Sequence, residues 1–160
     1  MSRIATCLWF DKDGEDAARF YTSLIPNSRI DRVTAYKTES PAGNRIDDTM
    51  IVEFTLDGQQ YQAINGGPIF KHSPAASIVF LTKDQAETDR LWDAFLEEGG
   101  EPVQCGWLTD RWGLSWQIVP KRLIELTTDA DGEKARRATE AMLKQIKIDI
   151  AEIERAAAGA

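Results

Sequence analysis

The sequence predicts an α+β fold: two copies of a βαβββ-type module followed by a C-terminal helical tail. Three observations carry this. Short apolar strand patterns alternate with two amphipathic helical stripes over residues 4–119. The pattern repeats at a fixed offset. After Pro120 the composition changes and helical spacing takes over.

The first copy opens with IATCLWF at 4–10, a short apolar strand. Asp13 offers an N-cap, with Asp16 three residues on in a capping-box-like arrangement. Ala17, Phe20, Tyr21 and Leu24 follow at helical spacing, and Pro26-Asn27 ends the helix. Residues 29–37 read as the second strand and SPAGN at 40–44 as a loop. Residues 48–57 form the third strand, Asp57-Gly58 a hairpin turn, and 60–65 the fourth. Gly66-Gly67-Pro68 breaks the chain.

The pattern then restarts. AASIVFLT at 75–82 is a strand, Asp84 an N-cap, and Glu87 completes the box. Leu91, Trp92 and Phe95 form the helical stripe, which Gly99-Gly100 stops. Residues 102–108 and 114–119 read as strands joined by a turn over 109–113. An offset of 71 residues superimposes Thr6 on Ser77, Asp13 on Asp84, Asp16 on Glu87, Phe20 on Leu91, Tyr21 on Trp92 and Leu24 on Phe95, without a gap. Chance similarity competes with this reading, because caps and apolar spacings recur widely. One module cannot bury its helix and its sheet face alone, so the two are expected to pack together.

The expected domains are 1–120, holding modules at about 1–67 and 68–120, and a helical extension over 121–160. Residues 121–128 read as a connecting segment. Asp131 caps a helix through about residue 145, with Ala135, Ala138 and Met142 on one face and Ile146 as a fourth candidate. Asp149 caps a last short helix carrying Ile150 and Ile153.

Composition excludes several classes. Acidic residues outnumber basic ones 26 to 19, giving −7 at neutral pH, and no Lys/Arg stripe appears in the first 120 residues. Phosphate binding needs concentrated positive charge, so no nucleic-acid partner is expected. No apolar run reaches the ~20 residues that span a bilayer, and no signal-peptide layout is present. A cytoplasmic protein without membrane contact is expected. Cys7 and Cys105 then read as reduced thiols, as small buried hydrophobes before reactive groups. With one histidine and no CxxC, no zinc motif exists.

Four segments carry a family resemblance: LWFDKDGEDAARFY, NGGPIFKHSPAASI, DRLWDAFLEEGG and QCGWLTDRWGLSWQIVP. They resemble the PhnB-like branch of the vicinal oxygen chelate superfamily, which includes glyoxalase I, bleomycin-resistance proteins and extradiol dioxygenases. The tail segment AMLKQIKIDIAEIERA matches the same branch. The resemblance spans about residues 4–156. It implies paired βαβββ modules whose sheets bend into a half-open, barrel-like cup around one small-molecule pocket. Proteins of this branch often carry the label 3-demethylubiquinone-9 3-methyltransferase. The Gly-rich strand-to-helix turn usual for a nucleotide or S-adenosylmethionine site is missing here.

Metal-dependent members place His or Glu on four inward strand positions. By the resemblance these fall on Thr6, Gln62, Ser77 and Gln117, two hydroxyls and two amides. Divalent cations of this class want imidazole or anionic oxygen, so neither a metal nor another cofactor is expected. The four polar groups either orient a ligand or bond one another. Phe70, Trp107 and Trp112 are candidates for walls of the pocket, with core packing as the competing reading. Cys105 lies beside it without a histidine placed to activate it. Trp116 reads as core, His72 as a solvent-facing loop residue, and Asp110-Arg111 as turn chemistry or an exposed ion pair. The expected function is metal-free binding of a small molecule by a homodimer. The alternative is an enzyme of the superfamily: a lyase, isomerase, dioxygenase or the labelled methyltransferase. No catalytic set is recognisable.

Overall fold

The structure is a computed structural model that describes residues 2–160. The chain divides into two compact units, the first ending at His72 and the second running Ser73–Ala160.

The first unit contains β1 (Thr6–Phe10), α1 (Gly14–Leu24), β2 (Arg29–Ala35), β3 (Thr49–Leu56) and β4 (Gln59–Asn65). They form one four-stranded sheet in the order β1-β4-β3-β2, with β1 parallel to β4 and the other pairs antiparallel. Successive strand residues point to opposite faces, so one face takes Leu8, Phe10, Val52, Phe54, Tyr61 and Ala63. All six are buried, and α1 covers them with Ala17, Ala18 and Tyr21. Tyr21 lies 6.4 Å from Phe54, which stacks on Tyr61 at 5.5 Å. Each large apolar side chain so buried, such as Leu8, Val52 or Phe54, contributes roughly 1.5–3 kcal/mol.

Asp13 is not the working cap of α1; its side chain makes no cap hydrogen bond. The Oδ1 of Asn65, at the end of β4, accepts from Gly14 N at 2.8 Å instead. The Asn65 Nδ2 donates to Lys12 O and Thr49 O, both at 3.1 Å. This side chain is 3% exposed and satisfied at both ends. Gly14 has to be small, because a Cβ there would sit 2.7 Å from Asn65 Oδ1.

The second unit contains β5 (Ser77–Thr82), α2 (Gln85–Glu97), β6 (Glu101–Pro102), β7 (Trp107–Thr109) and β8 (Ser115–Pro120). The order is β5-β8-β7-β6, again with the outer pair β5 and β8 parallel. Asp84 caps α2 as the sequence predicts, accepting from Glu87 N at 2.8 Å, while Glu87 accepts from Lys83 N at 2.7 Å. Trp116 is fully buried against Phe95 of α2 at 4.9 Å, which fixes the helix-bearing face of this sheet.

The strand expected at 102–108 is split. Cys105 and Gly106 adopt positive φ, 57° and 81°, which no strand tolerates. Their N–H groups donate to Gln145 O and Ile146 O, each at 2.8 Å, so the tail takes the hydrogen bonds that a sheet neighbour would have taken.

The tail differs in one further respect. Residues expected to connect form α3 (Lys121–Thr127), followed by α4 (Gly132–Met142) and α5 (Ile150–Ala157). Leu123, Leu126, Ala138, Ile148, Ile153 and Ala157 build a separate small core with Val119. Asp131 and Asp149 cap α4 and α5. Helix α4 stops at Met142, and Ile146 stays 54% exposed outside this core.

Candidate functional site

Each sheet has one face under its helix and one face open. On the open face of the second sheet, Val79, Gln117 and Trp107 form one row across β5, β8 and β7. Ser77, Ser115 and Thr109 form the next row. Gln117 Nε2 donates to Ser77 Oγ at 2.9 Å. This joins two of the polar residues singled out in the sequence. Val79 is 50% and Leu81 46% exposed, so the polar pair sits in an apolar surround. Among the described residues the Gln117 Oε1 has no hydrogen-bond partner, and an amide oxygen in that setting calls for a donor.

On the open face of the first sheet the register aligns Cys7, Gln62, Glu53 and Arg32 across all four strands. Trp9, Ile64, Ile51 and Thr34 form the row beside it. Thr6 is not in these rows. It pairs with Tyr61, on the face that carries α1. The gapless offset of 71 therefore fails inside the first strands: Ser77 faces away from α2, while Thr6 lies on the α1 side. The chain needs two residues between Phe10 and Asp13 but one between Thr82 and Asp84, and one residue reverses every side chain of a strand. Cys7 is the residue on the open face.

The remaining singled-out residues fall in different places. Phe70 is 62% exposed and meets Trp9 edge-on at 4.9 Å, while Trp9 Nε1 donates to Gly67 O at 2.8 Å. His72 is half-buried, not solvent-facing: its ring lies 5.5 Å from Phe10, and its Nε2 is buried without a hydrogen-bond partner. Cys105 is half-buried in the left-handed break. Trp112 lies in the β7–β8 turn beneath the Arg111 guanidinium, 4.4 Å from the ring centroid.

Asp110 takes the turn role rather than that of an exposed ion pair, and it is buried at 4% exposed. Its Oδ1 accepts from Trp112 N and Leu114 N, and its Oδ2 from Trp116 Nε1, all at 3.0 Å. The carboxylate thus builds the turn and anchors the core tryptophan. Arg111 reaches Glu98 instead, at 3.9 Å. Neither cysteine is in a disulfide. Cys7 is exposed as a residue, yet partial cover by its neighbours pushes the thiol pKa up, away from the thiolate a nucleophile needs.

The donor sets decide what these faces can hold. Cys7, Gln62, Ser77 and Gln117 offer one thiol, two amides and one hydroxyl. Among the described residues no group of three or more His, Cys, Asp or Glu could hold a metal ion. Both strand-to-helix connections end on a helix N-terminus that a side chain already occupies, Asp84 in the second. The first carries Asp11, Lys12 and Asp13, and its helix N-terminus is occupied by Asn65. No helix among the described residues is long and apolar enough to cross a membrane.

Comparisons with known proteins give the same architecture. A PhnB protein of the 3-demethylubiquinone-9 3-methyltransferase type from Bacillus cereus is 27% identical. It covers 74% of this chain and 99% of its own, with a TM-score of 0.65. A Pseudomonas aeruginosa protein is 21% identical over 72% of this chain and 95% of its own, with a TM-score of 0.58. A fosfomycin resistance protein from Listeria monocytogenes shares the fold at 16% identity and a TM-score of 0.51, over 72% and 89%. No curated protein matches the sequence. The 3-demethylubiquinone-9 3-methyltransferase family model matches residues 2–119. The chain therefore belongs to that family.

Proposed function

We propose that this protein binds a small molecule without a metal, and that the open face of its second sheet meets the ligand through Gln117, Ser77 and Trp107. The observation that carries the reading is the Gln117–Ser77 hydrogen bond at 2.9 Å. It orients the amide and leaves its oxygen and one N–H for a partner. Trp107, beside Gln117 in register, supplies a flat apolar wall. The same reading takes Gln62 and Cys7 as the corresponding polar pair of the first sheet, adjacent on β4 and β1. The family's methyltransferase label supports an enzyme, but neither strand-to-helix turn is built for S-adenosylmethionine. A homodimer is part of the proposal, because Val79 and Leu81 expose apolar surface that a second copy would cover. The two free thiols support a reducing, cytoplasmic setting.

Native mass spectrometry of protein purified from its own host tests this. The expected spectrum is a dimer retaining a small organic molecule, with no stoichiometric Zn, Ni, Mn or Fe by elemental analysis. A stoichiometric metal overturns the metal-free reading. Saturable binding of S-adenosylmethionine in calorimetry would replace it with the methyltransferase.

A further inference from the structure

The first sheet carries a second feature, which shares Gln62 with the reading above but rests on other residues. A groove of about 530 Å³ is lined by Arg3, Arg29, Arg32, Asp31, Glu53 and Gln62, among others. Three guanidinium groups face two carboxylates there, a local excess of one positive charge in a chain of net −7.

The arginines are placed by a backbone irregularity. Arg29 pairs with Thr55 and Arg32 with Glu53, and the register shifts between Ile30 and Arg32. Residues three apart on a regular strand point to opposite faces. The extra residue, Asp31, restores the facing, so Arg29 and Arg32 both stand on the open face with Thr55 and Glu53. A bulge is a common means of re-aiming a side chain beside a site. Asp31 then works from the bulge: its Oδ1 holds Arg29 Nε at 2.7 Å and its Oδ2 accepts from Thr55 Oγ1 at 2.6 Å. Glu53 holds Arg32, also through Nε. Both guanidinium groups are thus held through Nε, and among the described residues their Nη groups make no hydrogen bond or ion pair. The side chains remain 64% and 71% exposed, so an incoming ligand can reach them.

We propose that this groove binds a small monocarboxylic acid, its carboxylate taken by the Nη groups of Arg29 and Arg32. A guanidinium edge matches the two oxygens of a carboxylate or a phosphate in a paired, planar fit. The excess of a single charge favours the monoanion, which neutralises it, over a dianion, which would reverse it. Gln62 and Glu53 share the row that leads across the sheet to Cys7, so the body of the acid crosses β3 and β4 in that direction.

The test is a titration of the full chain with sodium benzoate, followed by arginine side-chain NMR. Parallel titrations use benzamide and inorganic phosphate. Benzoate is expected to shift the Nε–H signals of Arg29 and Arg32 saturably and together, while Arg136 and Arg155, elsewhere on the surface, show no saturation. Benzamide, which lacks the charge, should leave all four unmoved. Arg29→Gln and Arg32→Gln should each weaken binding at least about tenfold, the scale of one hydrogen bond to a charged group. Arg32→Lys should weaken it too, because the charge survives but the fork does not. Equal shifts at all arginines, equal responses to benzoate and benzamide, or Gln variants that are folded by melting yet bind like the parent would each overturn the site. Saturation by phosphate without saturation by benzoate would overturn the carboxylate assignment. None of these outcomes depends on Gln117 or on the second sheet.

Discussion

Asn65 Oδ1 accepts a hydrogen bond from Gly14 N at 2.8 Å across 51 residues of sequence, so the end of the last strand of the first sheet caps the helix that follows the first strand. Local sequence puts an aspartate at the usual capping position, yet that side chain is idle. The strand-end amide does more than an aspartate could. It accepts from the helix and donates to two carbonyls, Lys12 O and Thr49 O.

Removing it should therefore cost more than an ordinary cap. Asn65→Ala loses the cap, typically worth ~1 kcal/mol, and leaves two part-buried carbonyls short of a donor. We expect ~2–4 kcal/mol of destabilisation in urea unfolding. Asp13→Ala, at the conventional position, should change stability by less than ~0.5 kcal/mol. Similar values for the two variants would show that Asn65 does not carry the cap.

The break at Cys105–Gly106 makes a second prediction. A Cβ on Gly106 would lie 2.8 Å from Ile118 O, at a φ of 81° that side chains avoid. Gly106→Ala should cost ~1–3 kcal/mol. It should also loosen the tail, because Gly106 N bonds to Ile146 O. Limited proteolysis should then cut between Leu143 and Asp149 faster than in the parent. An unchanged rate would separate the break from the docking of the tail.

Gln117→Leu separates structure from binding. The change removes the bond to Ser77, worth about 1 kcal/mol, and replaces a half-buried amide with apolar surface beside Val79 and Trp107. Stability is expected to stay level or rise, while the retained ligand disappears from the native mass spectrum. Retention of the same ligand by the variant would make Gln117 a structural residue.

Acid should weaken the link between α2 and the tail. A hydrogen bond from Lys147, then one from Gln85, holds the Asp89 carboxyl below its ordinary value, and Lys147 Nζ stands 2.9 Å away. A lowered carboxyl pKa stabilises the fold above the unfolded value, about pH 4, and that contribution is lost as pH falls through the folded value. Asp89→Asn should therefore be less stable than the parent at pH 7, by an amount that shrinks as the pH falls below the ordinary carboxyl value of about 4. Thermal melts of the two chains across this range check it. A constant gap between them would assign the effect to packing.

Much of the fold was legible because local rules wrote it. Asp84, Asp131 and Asp149 cap the helices that follow them, as their place just before each helical stripe predicts. The apolar stripe of Leu91, Trp92 and Phe95 is buried as helical periodicity requires. Trp116 is core, and its neighbour Gln117 points the other way by strand alternation. The candidate site was legible only in part. Ser77 and Gln117 do meet, but nothing local distinguishes a strand that starts one residue earlier, so Thr6 was matched to Ser77 although it faces the helix. The turn role of Asp110 was one of two readings open in the sequence, but its bond to Trp116 was hidden, because that partner lies across the turn.

By itself, then, the sequence determined the order of elements, the two-copy plan, three of the helix caps and the core stripes. Each depends on neighbours within a few residues, where spacing and geometry are locked together. Only the tertiary structure decided strand facing, the bulge at Asp31, the tail's pairing with Cys105 and Gly106, and the cap supplied by Asn65. Those depend on groups brought together from distant positions, and a shift of one residue in either partner leaves the local pattern intact while moving a side chain from one face of a sheet to the other.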